Sequence, residues 1–413
     1  MRWFRIYFPH LVIVGLLASI TVADPQRATV AREPASRAAA ILTWPPAKRE
    51  RYIAALDSMF LTRTVRASSR PYVLEHGRAI PAFETGAQRH YIDQFMASQR
   101  VRGLLVLQNG RIRLEQYAPP YGPRTRWNSF SIAKSITSTL LGAAMKDGYI
   151  HSLDDHVTGY ITALHGSAYD DVTVRQLLTM TSGVKWNENY TDPDSDVARM
   201  YAKAPENGLD MTVSYVRKLP REAPPGTKWV YKTAETNLVG VLVAEATGKP
   251  LAEYLSEKIW RAYGMERDAE WMIDDVGHEQ GGCCLAVTLR DYGRFGQFIL
   301  EGARINGEAV VAENWLRDAT RTQVSTGEQT GYGYQWWTRD DGTFEARGIY
   351  GQTLHIDRSR RLVIVINSAT EQPIDRGAGQ KRQEFIAKVG QELDREAREA
   401  TARSGRPSHG RSR

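Results

Sequence analysis

The sequence predicts an α+β fold: an antiparallel sheet formed from both chain ends, flanked by helices, with an inserted all-α lobe. Three observations predict it. A strand pair lies near residue 100, further strand-like runs cluster between 333 and 367, and the intervening stretch of about 150–285 reads as helix and loop. Strands at both ends with helices between them imply one shared sheet with a helical block inserted in it. The chain has 413 residues, 42% of them hydrophobic, ample for a large buried core.

In chain order, Met1–Arg5 carries two arginines, Ile6–Val22 is mainly apolar, and Thr21-Val22-Ala23 offers small residues for cleavage. This is the layout of a secretory signal over 1–23. The heart of the apolar run, Leu11–Val22, would rise roughly 18 Å as a helix, short of a hydrocarbon core of about 30 Å. The expectation is export to the periplasm or medium with cleavage and no stable membrane insertion. An uncleaved anchor using all of Ile6–Val22 is the alternative. Residues 24–86 read as a lead-in: 24–50 flexible and rich in Ala, Arg and Pro, 49–64 weakly helical, and 65–86 loop.

The main domain is expected over 87–400. Arg102–Leu107 and Arg111–Tyr117 flank Asn109-Gly110, a strong hairpin signal. From Ser131, apolar residues recur at helical spacing (Ile132, Ile136, Leu140, Leu141, Ala144) up to Gly148. In the lobe, Val172–Met180, Leu238–Thr247 and Leu251–Ala262 read as helices, and Thr288–Gly302 opens with a near capping box. Strands are expected at Gly333–Thr338, Thr343–Ala346, Thr353–Ile356 and Leu362–Asn367. A terminal helix follows over Ala378–Glu399. Residues 401–413 read as a basic disordered tail.

Basic residues outnumber acidic ones, 54 to 47, but the final stretch Ala402–Arg413 alone holds four arginines and no acid. The body is therefore nearly neutral, and it carries no aromatic-and-basic module for nucleic acid. The two cysteines are adjacent, Cys283 and Cys284. They cannot clip a long loop, and two buried thiols are expected in place of a vicinal disulfide. No spaced Cys/His set or HExxH suggests a metal.

The central chemical feature is Ser131-Ile132-Ala133-Lys134 at a helix start. Ser and Lys three apart share one helix face, and the helix N-terminus favours a developing oxyanion. A buried lysine there loses its proton well below the usual pKa of about 10.4 and serves as base. The pattern alone is weak, because Ser182-Gly183-Val184-Lys185 fits it too. That copy follows a helix and falls in a turn, so it lacks the required geometry. Further on, Pro225-Gly226-Thr227-Lys228-Trp229-Val230-Tyr231 brings a tyrosine to the edge of the next helix. A tyrosine there can carry a proton between serine and leaving group, given a cation that favours its phenolate.

Taken in order, Ser131-x-x-Lys134, TMTSGV at 179–184, PGTKWVY at 225–231 and GGCCLAVTLRDYGRFG at 281–296 resemble the class C β-lactamase and penicillin-binding-protein superfamily of serine hydrolases. The resemblance spans about 100–395. Residues 172–196, VTVRQLLTMTSGVKWNENYTDPDSD, carry a nearer likeness to the 6-aminohexanoate-dimer hydrolases and related esterases. It implies Ser131 as nucleophile, Lys134 as general base and Tyr231 as the tyrosine of a Tyr-x-Asn element. The third position of that element is Thr233, so a substrate-amide contact is lost or altered. The Lys-Thr-Gly element matches Ala346-Arg347-Gly348, which removes the lysine. Strand alternation turns Arg347 to the opposite side from Ala346. Gly348 is kept, so the Ile349 and Ser131 amides are implied as the oxyanion hole. Tyr190 matches a substrate-binding loop tyrosine, and no cofactor is implied. The expected substrate is a small ester or amide. The alternatives are a β-lactamase, a D,D-peptidase and, from another class, a non-catalytic wall- or peptide-binding protein.

Overall fold

A computed structural model describes Arg32–Ser404, apart from Pro34, Glu84, Thr85, Asn207 and Gln329. The signal-like segment 1–23 and residues 405–413 of the expected tail lie outside the described residues; 401–404 continue the terminal helix and correct the expected start of that tail. Among the described residues, no helix is long and apolar enough to cross a membrane.

The main sheet has eight strands, all paired antiparallel: β1 (Val101–Gln108), β2 (Arg111–Tyr117), β3 (Val324–Glu328), β4 (Thr330–Tyr332), β5 (Trp337–Thr338), β6 (Phe344–Gly348), β7 (Gln352–Asp357) and β8 (Leu362–Ser368). Their order across the sheet is β2-β1-β8-β7-β6-β5-β4-β3, so the two chain ends do build one sheet. The junction is β8 against β1, in the register Ile364↔Val106. Asn109 and Gly110, both at positive φ, make the hairpin turn between β1 and β2, as Asn-Gly dictates.

The central strands β1 and β8 are buried on both faces, which is why they read as largely apolar runs. Leu105, Leu107, Val363 and Val365 point into the larger core, where helix Leu289–Leu300 packs on the sheet. Leu104, Val106, Ile364 and Ile366 point into a second core with Phe385 and Val389 of the terminal helix Arg376–Ser404. The nucleophile-bearing helix α1 (Ile132–Lys146) and the lobe helix α2 (Thr233–Thr247) pack against each other. Nearly every α1 side chain is buried, so this helix is a fixed platform.

Several expectations are corrected. The lead-in at 24–50 is not flexible where it is described. Ala35–Thr43 is a 3-10 helix and Pro46–Ile53 an α-helix, because Ala35, Ala38, Ile41, Tyr52 and Ile53 supply a buried face. The lobe is helical only to Tyr263, since Ala269–Met272 and Leu285–Thr288 are strands. They join Thr62–Val65 and Arg126–Asn128 in a four-stranded sheet. Strands of only three or four residues are too short for an alternation to be read. Gly333–Thr338 is not one strand: Gly333 N–H donates to Trp336 O at 2.8 Å, and this turn separates β4 from β5.

Candidate active site

At the start of α1 the chain turns sharply. Phe130 takes φ +43°, a left-handed conformation that costs an L-residue energy and persists only when its surroundings fix it. Here Asn128 Oδ1 accepts from Phe130 N–H at 3.2 Å, and Ser129 Oγ accepts from Leu285 N–H at 3.0 Å. The Phe130 ring packs 5.3 Å from that of Tyr350, itself at φ +62°. Ser131 occupies the N-cap position, yet its side chain makes no capping hydrogen bond. Its hydroxyl instead lies close enough to the Tyr231 phenol to pull the Tyr231 pKa down. Ser131 is therefore not an ordinary cap.

Lys134, one turn on, is almost wholly buried. Its Nζ donates to Gly282 O at 2.6 Å and to Thr233 Oγ1 at 3.1 Å. Burial pulls its pKa down from 10.5 to about 7, against an upward pull from Glu188. Gly282 is required there, because a Cβ would come within 3.1 Å of Lys134 Nζ and 2.7 Å of Thr233 O. Tyr231 stacks on Trp337, centroids 5.7 Å apart, and Lys134 Nζ lies 5.3 Å from its ring centre. Burial raises the Tyr231 pKa strongly, the neighbouring Ser131 hydroxyl opposes this, and Glu188 adds to it. Tyr231 is thus a neutral phenol, not the phenolate that the sequence argument considered.

The lobe supplies a residue that sequence reasoning missed. Glu188 accepts from Thr233 N–H at 2.9 Å, from the Thr233 hydroxyl, from Tyr190 Oη at 2.7 Å and from Trp186 Nε1. A hydrogen-bonded path therefore runs from Lys134 through Thr233 to Glu188 and Tyr190. Thr233, expected to mark a lost contact, is the bridge in this path. The only sequence signal was the position of Glu188 two residues before Tyr190, an alternation that brings both side chains to one side of the loop.

Opposite the turn lies the end of β6. A Cβ on Gly348 would stand 2.5 Å from Ser129 O, so only glycine lets this strand edge approach the turn. Around the turn, the loop and cap hydrogen bonds use the amides of Ser129, Phe130, Ile132, Ala133 and Lys134. Among the described residues, the amides of Ser131 and Ile349 are donors in none of these loop and cap bonds. Alternation on β6 separates Ala346 from Arg347 as expected, but Ala346 is the buried one. The Arg347 guanidinium lies 5.3 Å from the centre of the Trp337 ring, on which Tyr231 also stacks, and binds Glu345 at 2.6 Å. Burial alone would raise the pKa of Glu345, but Arg347 and His355 hold it well below the usual carboxylate range.

Ser131, Tyr190, Thr233 and Ile349 border one small cavity of about 50 Å³. Among the described residues no charged side chain lines it. Cys283 and Cys284 form part of its wall, joined as a disulfide and not present as the expected thiols. Cys284 takes φ +69°, which turns the adjacent side chains towards each other.

Ser182 is excluded from this site. It is fully buried, accepts from Lys232 Nζ at 2.9 Å and donates to Glu235 Oε1. Lys185 is exposed. The Asp210, Asp274 and His278 group has metal-like proximity, but its carboxylates are engaged by the amides of Met211, Thr212, Val213, Val276 and His278. These bonds cap a helix and close a turn.

A family model described as Beta-lactamase matches residues 89–388. The 6-aminohexanoate-dimer hydrolase of Paenarthrobacter ureafaciens is 28% identical over 300 residues, covering 68% of this chain and 76% of that protein. A β-lactamase of Pseudomonas fluorescens is 24% identical over 184 residues, 42% of this chain and 48% of that one. Among solved structures, a Bacillus anthracis protein provisionally described as a 6-aminohexanoate-dimer hydrolase superposes with a TM-score of 0.74 at 23% identity. It covers 90% of this chain and 99% of that one. A penicillin binding protein from Bacillus halodurans gives 0.59 at 17% identity, covering 72% and 99%. At these identities the structural likenesses establish the fold alone.

Proposed function

This chain belongs to the Beta-lactamase family, and on that premise we propose that it hydrolyses small neutral esters, and amides more slowly, through an acyl-enzyme on Ser131. Membership makes it a hydrolase of the serine β-lactamase and penicillin-binding-protein superfamily. The observation that carries the finer reading is the pairing of a non-capping Ser131 with the buried Lys134, whose pKa is brought down to about 7.

At neutral pH a large fraction of Lys134 is the free amine, a base matched to its task. It takes the Ser131 Oγ proton, and Tyr231, whose phenol neighbours that hydroxyl, relays protons as a neutral phenol. Oγ bonds to the substrate carbonyl carbon, and the resulting oxyanion is met by the Ser131 and Ile349 amides. Collapse expels the alcohol or amine, which leaves with the proton that Lys134 accepted, delivered through Tyr231. Water then repeats the sequence on the acyl group and frees Ser131.

Esters are favoured over anionic substrates for an electrostatic reason. Among the described residues the cavity has no charged lining, and the nearby cation, Arg347, is already paired with Glu345. Short-chain p-nitrophenyl esters are expected to turn over readily, aminohexanoate-type amides more slowly, and cephalosporins barely. A cephalosporin kcat/KM equal to that of the best ester would overturn this ranking. Export is proposed from the Arg-flanked apolar segment and the Thr-Val-Ala site. Mass spectrometry should find a mature N-terminus near Asp24, and an intact Met1 in the soluble cytoplasm would contradict it.

A further inference from the structure

We propose that the 3-10 helix Ala35–Thr43 is the acyl-specificity wall of this enzyme, restricting it to short, neutral, apolar acyl groups. The inference rests on the acyl-enzyme reading above and adds an element outside the family-matched stretch 89–388. Ala38, Ala39, Ile41 and Leu42 border the same cavity as Ser131 and Ile349. The segment before the hairpin, which reads in sequence as a lead-in, thus reaches the nucleophile.

The side of the reaction that this cavity serves follows from what does not touch it. Tyr231, which must reach the leaving-group atom to return a proton, is not among its lining residues. The groups that stay with the acyl-enzyme, Ser131 and the Ile349 amide, are at its edge. The cavity therefore lies on the acyl side, and the leaving group departs past Tyr231.

The wall is fastened, not draped. Ala35 N–H donates to Ile273 O at 3.0 Å, and Glu33 exchanges backbone hydrogen bonds with Met59 and Leu61 at 2.9 and 2.7 Å. The helix packs against Asp196–Ala202. The next helix sends Arg49 to the Glu371 carbonyl at 2.6 Å, and Asn128 Nδ2 donates to Tyr52 Oη at 3.0 Å. That last bond ties the segment to the nucleophile turn itself. Ala38 and Ile41 are nearly solvent-free, so a longer acyl chain would have to displace anchored backbone or find no room.

The test is the acyl-chain profile of p-nitrophenyl esters from acetate to decanoate. One methylene in an apolar pocket discriminates by about 10- to 200-fold. The double variant Ile41→Ala with Leu42→Ala should therefore raise the octanoate-to-acetate ratio of kcat/KM by about tenfold or more. Ala40→Leu, on the solvent side of the same helix, should leave that ratio within about twofold. Melting temperatures establish that each variant is folded. An unchanged ratio in the folded double variant overturns the proposal. If the parent protein hydrolyses no ester, the acyl-enzyme reading fails on its substrate. The wall is then read from relative rates of Ser131 labelling by ethyl and octyl fluorophosphonates, with the same shift expected. No labelling of Ser131 at all overturns both.

Discussion

Replacing Glu188 by Gln should shift the acid limb of the pH–rate profile to lower pH by about one unit. Lys134 Nζ donates to Thr233 Oγ1 at 3.1 Å, and that hydroxyl donates on to Glu188. Two hydrogen bonds in series hold amine and carboxylate roughly 5 Å apart. At an effective dielectric constant of about 20 this corresponds to roughly 3 kcal/mol. Glu188 is only part-buried and shares its charge among several donors, so about half of that, roughly one pH unit, is the reasonable effect. The sign follows directly. Glu188 raises the Lys134 pKa against the larger downward pull of burial, so its neutralisation leaves Lys134 easier to deprotonate. Activity that rises through pH about 7 in the parent should rise about one unit lower in Glu188→Gln. The assay is kcat/KM for p-nitrophenyl butyrate from pH 5 to 9. A limb that stays in place, or moves upward, would refute the electrostatic role given to Glu188.

Lys134→Met tests the same buried group through stability. The unfolded chain holds the lysine proton up to pH about 10.5, whereas the folded chain releases it near pH 7. Parent stability relative to the variant should therefore climb by about 1.4 kcal/mol per pH unit between those values and be flat below them. Parallel urea-stability curves at pH 6, 7.5 and 9 would contradict this. Ser182→Ala removes a hydroxyl that joins Lys232 to Glu235 and should cost about 1–3 kcal/mol in denaturant melts. Labelling per folded molecule should survive, and its loss would move the site. Gly348→Ala would drive a Cβ to 2.5 Å from Ser129 O and shift the Ile349 amide. A fall of about 10²- to 10³-fold in kcat is expected, and an unchanged kcat in steady-state kinetics would dismiss that amide.

Much of this arrangement was legible in the sequence because local chemistry decided it. Asn109-Gly110 fixed the hairpin, the apolar periodicity from Ser131 fixed α1, and the Thr288–Asp291 cap opened its helix as the pattern suggested. What escaped was long-range. The four-stranded sheet joins residues as distant as Thr62 and Met272, and no short window contains that pairing. The lead-in helix is held by partners such as Ile273 and Glu371, so its weak local pattern understated its order. Glu188 was missed because a half-exposed loop acid looks ordinary until folding brings it beside Thr233. Arg347 was placed opposite Ala346 correctly, but its contact with Trp337, a residue of the neighbouring strand, could not be read from the local pattern.

The central claim is that Ser131, and not the look-alike Ser182, carries the covalent step. Peptide mapping after reaction with a fluorophosphonate measures this directly. The account predicts a single adduct on the peptide containing Ser131, with labelling and ester turnover both lost in Ser131→Ala. An adduct on Ser182, or ester turnover that persists in Ser131→Ala, would contradict it.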